Sequence, residues 1–198
     1  MIKESCKVVA IEHLTLDGVY QAPARIDEDV RDGFKHGGWS KAGNDPKMQE
    51  VIGKQMSGGW SLLAGRTTYE DLYEAWPIRQ PASHMTQALT SVKKFVACHD
   101  SNYKLSWENS TILAGEASET VAKLKKEHGK TLVIFGSGML VRSLMQHGLV
   151  DEFVLMIHPL VLGKGRRLFD NETLFTKFNL ANAVTTNTGV IIATYLQK

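Results

Sequence analysis

Eight apolar runs rich in β-branched residues recur along the chain between turn residues, and they predict eight β-strands. Most of the first six are continuous apolar segments, which are typical of strands covered on both faces: KVVAIEHLT, SLLAG, KFVACH, TILAG, TLVIF and EFVLMIHPLVL. The last two, LANAVTTN and VIIATYL, are joined through NTG, where Gly189 suits a hairpin turn. The pattern therefore predicts a mixed eight-stranded sheet with a C-terminal antiparallel hairpin.

Four segments between the strands have helical signals: DPKMQEVIGKQMSGG, TTYEDLYEA, SETVAKLKKEH and GMLVRSLMQHG. Asp45 is expected to cap the first helix, and Thr67 and Thr68 have capping-box spacing to acidic residues in the second. Residues 17–44 and 76–92 are the longest stretches that we expect to be irregular. Four helices around a sheet covered on both faces predict an α/β fold with three layers, α-β-α.

Length and composition indicate one globular domain over residues 1–198. Hydrophobic residues make up 43% and charged residues 22% of the chain. The net charge of +2 is too small for the basic surface that nucleic-acid binding requires. No apolar run approaches the roughly 18 residues that span a bilayer, and no leader segment is recognisable. We therefore expect a cytoplasmic protein without nucleic-acid or membrane partners.

Cysteine and histidine patterns give no support to disulfide, metal or hydrolytic chemistry. Cys6 and Cys98 lie far apart in apolar stretches, which fits a reducing compartment. The seven histidines have no HxH or HxxxH spacing and no partnering cysteine pair, so no metal site is expected. A GxSxG nucleophile motif is also missing from the sequence.

A strand runs into a helix through two glycines in TLVIFGSGMLVRSLM, residues 131–145. Gly136, Ser137 and Gly138 would leave several N–H groups free at the positive end of the helix dipole, where a phosphate could bind. A tight corner with water on those N–H groups is the alternative. The Rossmann dinucleotide motif is not matched, because a third glycine and the acidic residue on the next strand are missing.

A second corner of the same kind occurs in SLLAGRTTYEDL, where Gly65 precedes a helix and Arg66 stands at its start. Two such corners in one open sheet could hold two phosphate groups of one nucleotide. Arg66 could pair with a phosphate oxygen, or it could form a surface ion pair. Together the two corners favour a dinucleotide ligand.

Four segments occur in the order found in dihydrofolate-reductase-like proteins: TLDGV, LLAGRTTYEDL, IFGSGMLVRSLM and GLVDEFVLMIHPLVLGKGRRLF. Over nearly its whole length the chain most resembles the branch related to the reductase domain of the bifunctional riboflavin-biosynthesis deaminase-reductase. The resemblance implies a mostly parallel eight-stranded sheet flanked by four helices. It also implies NADPH as the cofactor, hydride transfer to a small substrate in an adjoining cleft, and a homodimer.

The resemblance also implies roles for particular residues. The cofactor's phosphates would lie at the two corners, formed by Gly65, Arg66, Thr67, Gly136, Ser137, Gly138, Met139 and Leu140. Gly18 would belong to the loop that closes over the nicotinamide and the substrate. Asp17, the candidate catalytic residue, would either contact the substrate or shape the Asp-Gly turn.

Three further residues are candidates for substrate binding. Lys164 and Arg166 share the loop GKGRR and could meet a phosphorylated substrate, although such a loop could also be a solvated turn. Trp39 lies in a long loop and could line a cleft for a planar heterocycle, or it could anchor the loop in the core.

Two features bear on the substrate and the cofactor. Folate reductases carry a proton-donating carboxylate on the first helix, but Glu50 lies opposite the apolar stripe of that helix and is expected to be solvated. Dihydrofolate is therefore disfavoured as the substrate. Asp100 follows the third strand and would repel a 2′-phosphate if it pointed inward, so NADH stays an alternative to NADPH.

The sequence thus leads to two hypotheses. The first is an NADPH-dependent reductase of a ribosylaminopyrimidine-like or pterin-like compound, resembling 5-amino-6-(5-phosphoribosylamino)uracil reductase. The second is a nucleotide-binding module on the same fold that does not turn over a substrate.

Overall fold

The computed structural model describes residues 6–170 and 175–198, which form one eight-stranded sheet with helices on both faces. All eight predicted strands are confirmed. In chain order they are β1 (Val8–Thr15), β2 (Trp60–Gly65), β3 (Lys94–Cys98), β4 (Ser110–Ala114), β5 (Thr131–Phe135), β6 (Glu152–His158), β7 (Phe178–Thr185) and β8 (Ile191–Gln197). Across the sheet their order is β4-β3-β2-β5-β1-β6-β8-β7.

The sheet is mixed, as the hairpin signal predicted. Strands β1 to β6 pair in parallel with one another, while β8 is antiparallel to β6 and β7 is antiparallel to β8. Gly189 lies in the turn of this C-terminal hairpin with a φ of 83°, a conformation that glycine adopts without a Cβ penalty. Because the parallel strands all point the same way, their carboxyl ends collect at one edge of the sheet.

Five α-helices pack against the described sheet, one more than the four predicted. They are α1 (Pro46–Gln55), α2 (Arg66–Tyr73), α3 (His84–Ser91), α4 (Ala117–Glu127) and α5 (Gly138–Gln146); short 3-10 turns lie at Arg31–Gly33 and Lys41–Gly43 and a π-helical turn at Glu74–Ile78. The additional helix, α3, lies inside residues 76–92, which the sequence predicted to be irregular. Ser83 caps α3 by accepting the Thr86 N–H at 3.1 Å. Leu89, on the helix itself, is buried in the core. A cap and tertiary packing thus stabilise a helix of eight residues, which is too short to be stable by itself.

The helices form two layers, one on each face of the sheet. Successive side chains of a strand point to opposite faces, so neighbouring strand residues face different helices. Ala10 packs in the cluster that holds Val121 of α4 and Leu144 of α5. Val9 packs in the opposite cluster, which holds Met48 of α1 and further residues of α2 and α3. The predicted three-layer α-β-α architecture is confirmed.

The predicted N-terminal cap is present in α1 but not in α2. Asp45 accepts the Lys47 N–H at 2.8 Å and caps α1, as predicted. The capping boxes predicted at Thr67 and Thr68 are wrong, because α2 already begins at Arg66 and both threonines lie inside its first turn. The chain passes from β2 directly into α2, which leaves no intervening residue to supply a side-chain cap.

Two irregular segments, residues 16–44 and residues 159–168, are hydrogen-bonded to each other beside the carboxyl edge of the sheet. Tyr20 donates its N–H to the Arg166 carbonyl at 3.0 Å. The buried side chain of Gln21 accepts the Arg166 N–H, also at 3.0 Å. The first segment, although irregular as predicted, is therefore anchored by hydrogen bonds at this edge.

Membrane-spanning helices and clusters of metal-binding side chains do not occur in the part of the chain that the structure describes. There, no helix is both long and apolar enough to cross a membrane. The described His, Cys, Asp and Glu side chains also form no group of three or more that could hold a metal ion. Cys6 and Cys98 are both free and buried.

Candidate active site

A cleft of about 720 Å³ opens at the carboxyl edge of the parallel strands. The ends of β1, β2, β3 and β5 line it, together with the loop after β1 and the starts of three helices. In open α/β sheets, ligands bind at this edge. The position of the cleft alone therefore makes it the candidate site.

The three helices that start at the cleft are α2, α4 and α5, and among the described residues no side chain caps their first N–H groups. By contrast, Asp45 caps α1 and Ser83 caps α3, and neither of these two residues lines the cleft. Uncapped N–H groups at the positive end of a helix dipole bind anions. The cleft thus gathers three helix starts whose N–H groups are left for a ligand.

The corners that lead into α2 and α5 are joined to each other. Gly65 donates its N–H to the Ser137 hydroxyl at 3.1 Å, although the two residues are far apart in sequence. Gly136 and Ser137 both have positive φ values, of 64° and 59°. This left-handed conformation is unusual for serine, and it lets the chain turn from β5 into α5 with the Ser137 hydroxyl directed at the other corner.

The start of α5 is packed against an aromatic ring from the loop after β1. A Cβ on Gly138 would lie 2.5 Å from Cζ of Tyr20, closer than side-chain carbons approach. Glycine is therefore required here so that Tyr20 can form part of the cleft wall.

The start of α4 is a third corner, which sequence analysis missed. Gly115, Glu116 and Ala117 line the cleft after β4. The segment TILAGEASETV has the same order of strand, glycine and helix as the corner at Gly65, and this similarity could have revealed it. Unlike Gly65, however, Gly115 has no arginine beside it to indicate an anion.

A smaller pocket lies beside the cleft between α2 and the end of β3. Arg66 lines both spaces, donates to Glu70 Oε1 at 3.1 Å, and has its guanidinium 5.7 Å from the centre of the Tyr103 ring. Asp100 and His99 also line the small pocket. The pocket thus combines a cation, an aromatic ring and a carboxylate.

The structure brings together eight of the residues that were predicted to bind a cofactor. Those that line the cleft are Gly65, Arg66, Thr67, Gly136, Ser137, Gly138, Met139 and Leu140. The other predicted site residues lie in the two interlocked segments and are not among the described residues that line it: Asp17, Gly18, Trp39, Lys164 and Arg166.

Asp17 makes its contacts within these segments. Its carboxylate accepts hydrogen bonds from Thr15 Oγ1 at 2.6 Å and from the N–H groups of Leu162 and Gly163 at 3.2 and 2.9 Å. Arg167 forms an ion pair with it at 3.2 Å. Burial by itself would raise the pKa of Asp17, but the hydrogen bonds outweigh it and lower the pKa to about 2. Asp17 is therefore ionised at neutral pH and ties the turn after β1 to the loop after β6.

The three predicted substrate-binding residues have different surroundings. Trp39 is half-buried and donates its indole N–H to the Gln21 carbonyl at 2.7 Å. Arg166 forms an ion pair with Asp32 at 3.0 Å, and Lys164 is exposed. These contacts support the segment that borders the cleft.

Sequence analysis overlooked Glu12, a carboxyl group on β1 that lines the cleft. Its side chain is only 1% exposed, and Oε1 has no hydrogen-bond partner among the described residues. Burial raises the pKa of Glu12 to about 8, so the group is protonated at neutral pH. The signal that could have found it is a charged residue inside the apolar run KVVAIEHLT, where a strand covered on both faces must bury it.

His13 also lines the cleft and forms a pair with the buried His158. Nδ1 of His13 lies 2.9 Å from Nε2 of His158, and the Trp39 ring meets His158 edge-on at 5.2 Å. Burial lowers the pKa of both histidines to about 4, and His158 adds to this effect for His13. Both rings are therefore neutral at neutral pH, and an N–H group of one ring donates a hydrogen bond to the unprotonated nitrogen of the other.

Another part of the cleft lining is apolar and includes Ile52, Leu72, Trp76, Met85 and Phe135. Arg31 and Asp29 both line the cleft and form an ion pair, and Asp71 of the lining pairs with Arg25, which is not itself a lining residue. Because each guanidinium already has a carboxylate partner, these pairs do not create an excess of positive charge. The lining suits a planar, largely uncharged ring system.

Comparison with known proteins gives a family match over most of the chain. The model of the RibD C-terminal domain matches residues 7–192. Two curated relatives are uncharacterised proteins of Bacillus subtilis (strain 168). YyaP is 36% identical over 106 residues, covering 53% of this chain and 55% of YyaP. YwjB is 32% identical over 120 residues, covering 61% of this chain and 64% of YwjB. The chain thus aligns with less than two thirds of the length of either relative.

Solved structures share the fold at low sequence identity. A pyrimidine reductase-like protein of Corynebacterium diphtheriae has a TM-score of 0.67 and 13% identity, covering 100% of this chain and 93% of its own. A Thermotoga maritima deaminase and 5-amino-6-(5-phosphoribosylamino)uracil reductase has a TM-score of 0.63 and 11% identity, covering 99% and 58%. Dihydrofolate reductase of Enterococcus faecalis, complexed with NADP(H), has a TM-score of 0.58 and 13% identity, covering 97% and 96%. At these identities the likeness establishes the fold.

Proposed function

The chain belongs to the RibD C-terminal domain family, and from this premise we propose that it is a nicotinamide-nucleotide-dependent reductase of a small heterocyclic compound. The observation that carries the proposal is the group of three uncapped helix starts at one cleft. Two linked corners with free N–H groups fit the diphosphate of a dinucleotide. The apolar lining beside them fits a substrate ring.

In the proposed complex, the corners at Gly65 and Gly136 hold the diphosphate of the cofactor. The start of α4, at Gly115, offers further N–H groups to the same ligand. When bound, a reduced nicotinamide supplies a hydride to the substrate. The protein's own contribution is to orient the two molecules in the cleft and to exclude water from the reacting atoms.

We place the adenosine end of the cofactor at the small pocket, because Arg66 and Tyr103 could hold a phosphate and a base there. A 2′-phosphate next to Arg66 favours NADPH. Asp100 in the same pocket opposes that phosphate, so NADH is the alternative cofactor.

Arg66→Ala is expected to weaken the binding of NADPH about tenfold and of NADH less than threefold, since one charge-assisted hydrogen bond to the 2′-phosphate is lost. Titration calorimetry with both coenzymes measures the difference. Arg79→Ala is the matched control, because Arg79 is similarly exposed and ion-paired but does not line the cleft. Equal weakening of NADPH and NADH would remove Arg66 from the 2′-phosphate.

The substrate that we propose is a ribosylaminopyrimidine-like or pterin-like compound, whose ring would lie against Trp76 and Phe135. A ribosylaminopyrimidine phosphate would need positive charge for its phosphate. Apart from Arg66, which we assign to the cofactor, the arginine of the lining is Arg31, and it is paired with Asp29. We therefore favour a substrate without a phosphate.

The test is to follow the oxidation of NADPH and NADH by absorbance with a panel of pterins, dihydrofolate and aminopyrimidine ribosides, with and without phosphate. Oxidation with one member of the panel supports the reductase. Coenzyme binding without oxidation by any compound would favour a nucleotide-binding module. If calorimetry detects neither coenzyme, both functions are wrong.

We also propose a cytoplasmic location and a homodimer. The free buried thiols of Cys6 and Cys98 fit a reducing compartment, and the sequence resemblance supports the dimer. Light scattering of the purified protein tests the dimer, and a monomeric mass at micromolar concentration would contradict it.

A further inference from the structure

Glu12 is a buried carboxyl group at the cleft with one oxygen that no described residue contacts through a hydrogen bond. A buried polar atom without a partner is costly, and such atoms are rare in folded proteins. Because Glu12 lines the cleft, a ligand bound there is a partner available to its carboxyl group.

Glu12 stands where β1 separates from β5. Ile11 is the last residue of β1 that pairs with β5, opposite Phe135, and its carbonyl accepts the Gly136 N–H at 3.1 Å. Glu12 follows directly and is paired on its other side with Leu155 of β6. The carboxyl group therefore lies next to the corner at Gly136, between the proposed diphosphate site and the loop after β1.

The immediate neighbours of Glu12 on its face of the sheet are apolar. Strand alternation puts it on the same face as Ala10 and Leu14, and its partner Leu155 belongs to the same buried cluster. Burial without a compensating charge is why the pKa of Glu12 rises to about 8. The group therefore carries a proton under conditions in which an ordinary glutamate does not.

The titratable group that faces Glu12 is Tyr20, from the loop after β1. Burial raises the pKa of Tyr20, and Glu12 adds to that rise. The positive charges of Arg142 of α5, Arg166 and Arg31 act in the opposite direction and lower the pKa of Tyr20. From β6 the neighbour is apolar, and His13, the next residue on β1, points to the other face and is neutral.

We propose that Glu12 is the proton donor of the reductase. The donor then lies on β1 and not on the first helix, and the assignment rests on the proposed function. On the first helix, Glu50 is exposed and bound by Lys47 and Lys54 at 2.8 and 2.9 Å. These contacts hold Glu50 ionised at the surface, away from the cleft lining. Glu12 is the carboxyl group whose burial and free oxygen suit proton transfer to a ligand.

The proposed step reduces a C=N or C=O bond of the substrate. The substrate carbon gains a hydride, the π electrons of the double bond move to the nitrogen or oxygen, and Glu12 delivers its proton to that atom. One C–H bond and one N–H or O–H bond replace the π bond. The resulting carboxylate of Glu12 regains a proton from water before the next turnover.

The test compares wild type with Glu12→Gln, which keeps the side-chain size but cannot give up a proton, and with Glu12→Asp, which keeps the acid. We expect Glu12→Gln to lower kcat about 100-fold, the size typical of a lost general acid. Coenzyme affinity, measured by calorimetry, should change less than twofold. Glu50→Gln is the matched control and should leave both quantities unchanged.

Two readouts separate proton donation from a structural role. The wild-type single-turnover rate should fall as the pH rises above about 8, whereas the residual rate of Glu12→Gln should not. Infrared difference spectra of the free protein at neutral pH should contain a protonated-carboxyl band that Glu12→Gln lacks. Glu12→Asp should keep part of the activity and the fall with pH.

The outcomes are distinct for the donor and for the reductase. Glu12→Gln activity within threefold of wild type, or an ionised Glu12 in the infrared spectra at neutral pH, would overturn the donor assignment and leave the reductase intact. A wild-type protein that binds coenzyme but reduces no compound would overturn the proposed reductase and the donor role with it.

Discussion

Lys94→Met should lower the free energy of unfolding by about 3 kcal/mol, because the change removes the buried charged donor that three carbonyl groups share. The Lys94 ammonium is fully buried and donates to the carbonyls of Thr90, Val92 and Glu108 at 3.1, 2.9 and 3.0 Å. It also lies 4.7 Å from the centre of the Trp107 ring. Lys94 thus joins the end of α3, the start of β3 and the turn before β4.

Urea denaturation measures this effect, with Lys93→Met as the control because Lys93 is the exposed neighbour of Lys94. Burial lowers the pKa of Lys94 from 10.5 to about 8, so between these pH values the unfolded chain binds more protons than the folded one. Wild-type stability should therefore rise with pH in that window relative to Lys94→Met. If wild type and Lys94→Met were equally stable at neutral pH, the hydrogen bonds from Lys94 to the three carbonyl groups would not contribute to stability.

Gly138→Ala should weaken coenzyme binding at least tenfold and lower the free energy of unfolding by about 1–3 kcal/mol, since it forces an overpacked contact. The new Cβ would lie 2.5 Å from Cζ and 2.7 Å from both Cε atoms of Tyr20. The Tyr20 ring is packed against the core, so relieving this contact must shift the ring and change the wall of the cleft at the start of α5. Calorimetry with NADPH and thermal denaturation measure the two effects.

A double-mutant cycle with Tyr20→Ala identifies the cause. If the ring is the obstacle, Gly138→Ala should cost much less stability in the Tyr20→Ala background. Gly53→Ala is the control, because its Cβ would meet nothing within 4 Å and it lies inside α1, where alanine should stabilise by roughly 0.5–1 kcal/mol. An undiminished cost of Gly138→Ala without the Tyr20 ring would show that the ring is not the obstacle.

The sheet was predictable because each strand is an apolar run long enough to stand out. Helix α3 was not, since its apolar positions Met85, Ala88 and Leu89 cover little more than one turn of an eight-residue helix, which depends on Ser83 and on tertiary packing. Thr67 and Thr68 have the spacing of capping boxes, but α2 begins before them, at Arg66. Spacing alone does not show where a strand ends and a helix begins. Local patterns thus predict elements well and their junctions poorly.

The candidate site was predictable where glycine marks a corner and unpredictable where long-range contacts matter. The corners at Gly65 and Gly136 could be predicted because a glycine between an apolar strand and a helix indicates a sharp turn with uncapped N–H groups. Glu12 could not be assigned to a cleft, because its position there depends on where β1 separates from β5, and the sequence does not show that point. Which irregular segments lie beside the site also depends on pairing between residues far apart in the chain.

The hydrogen bond from Gly65 to the Ser137 hydroxyl has a consequence for the size of ligand that the cleft selects. It fixes the separation of the two corners that we propose for phosphate binding before any ligand arrives, so a molecule with two linked phosphates would engage the second corner with little further loss of entropy. A mononucleotide occupies only one corner and gains no such chelate advantage. Selection between dinucleotides and AMP-like compounds would then depend on the span between corners and little on recognition of the base.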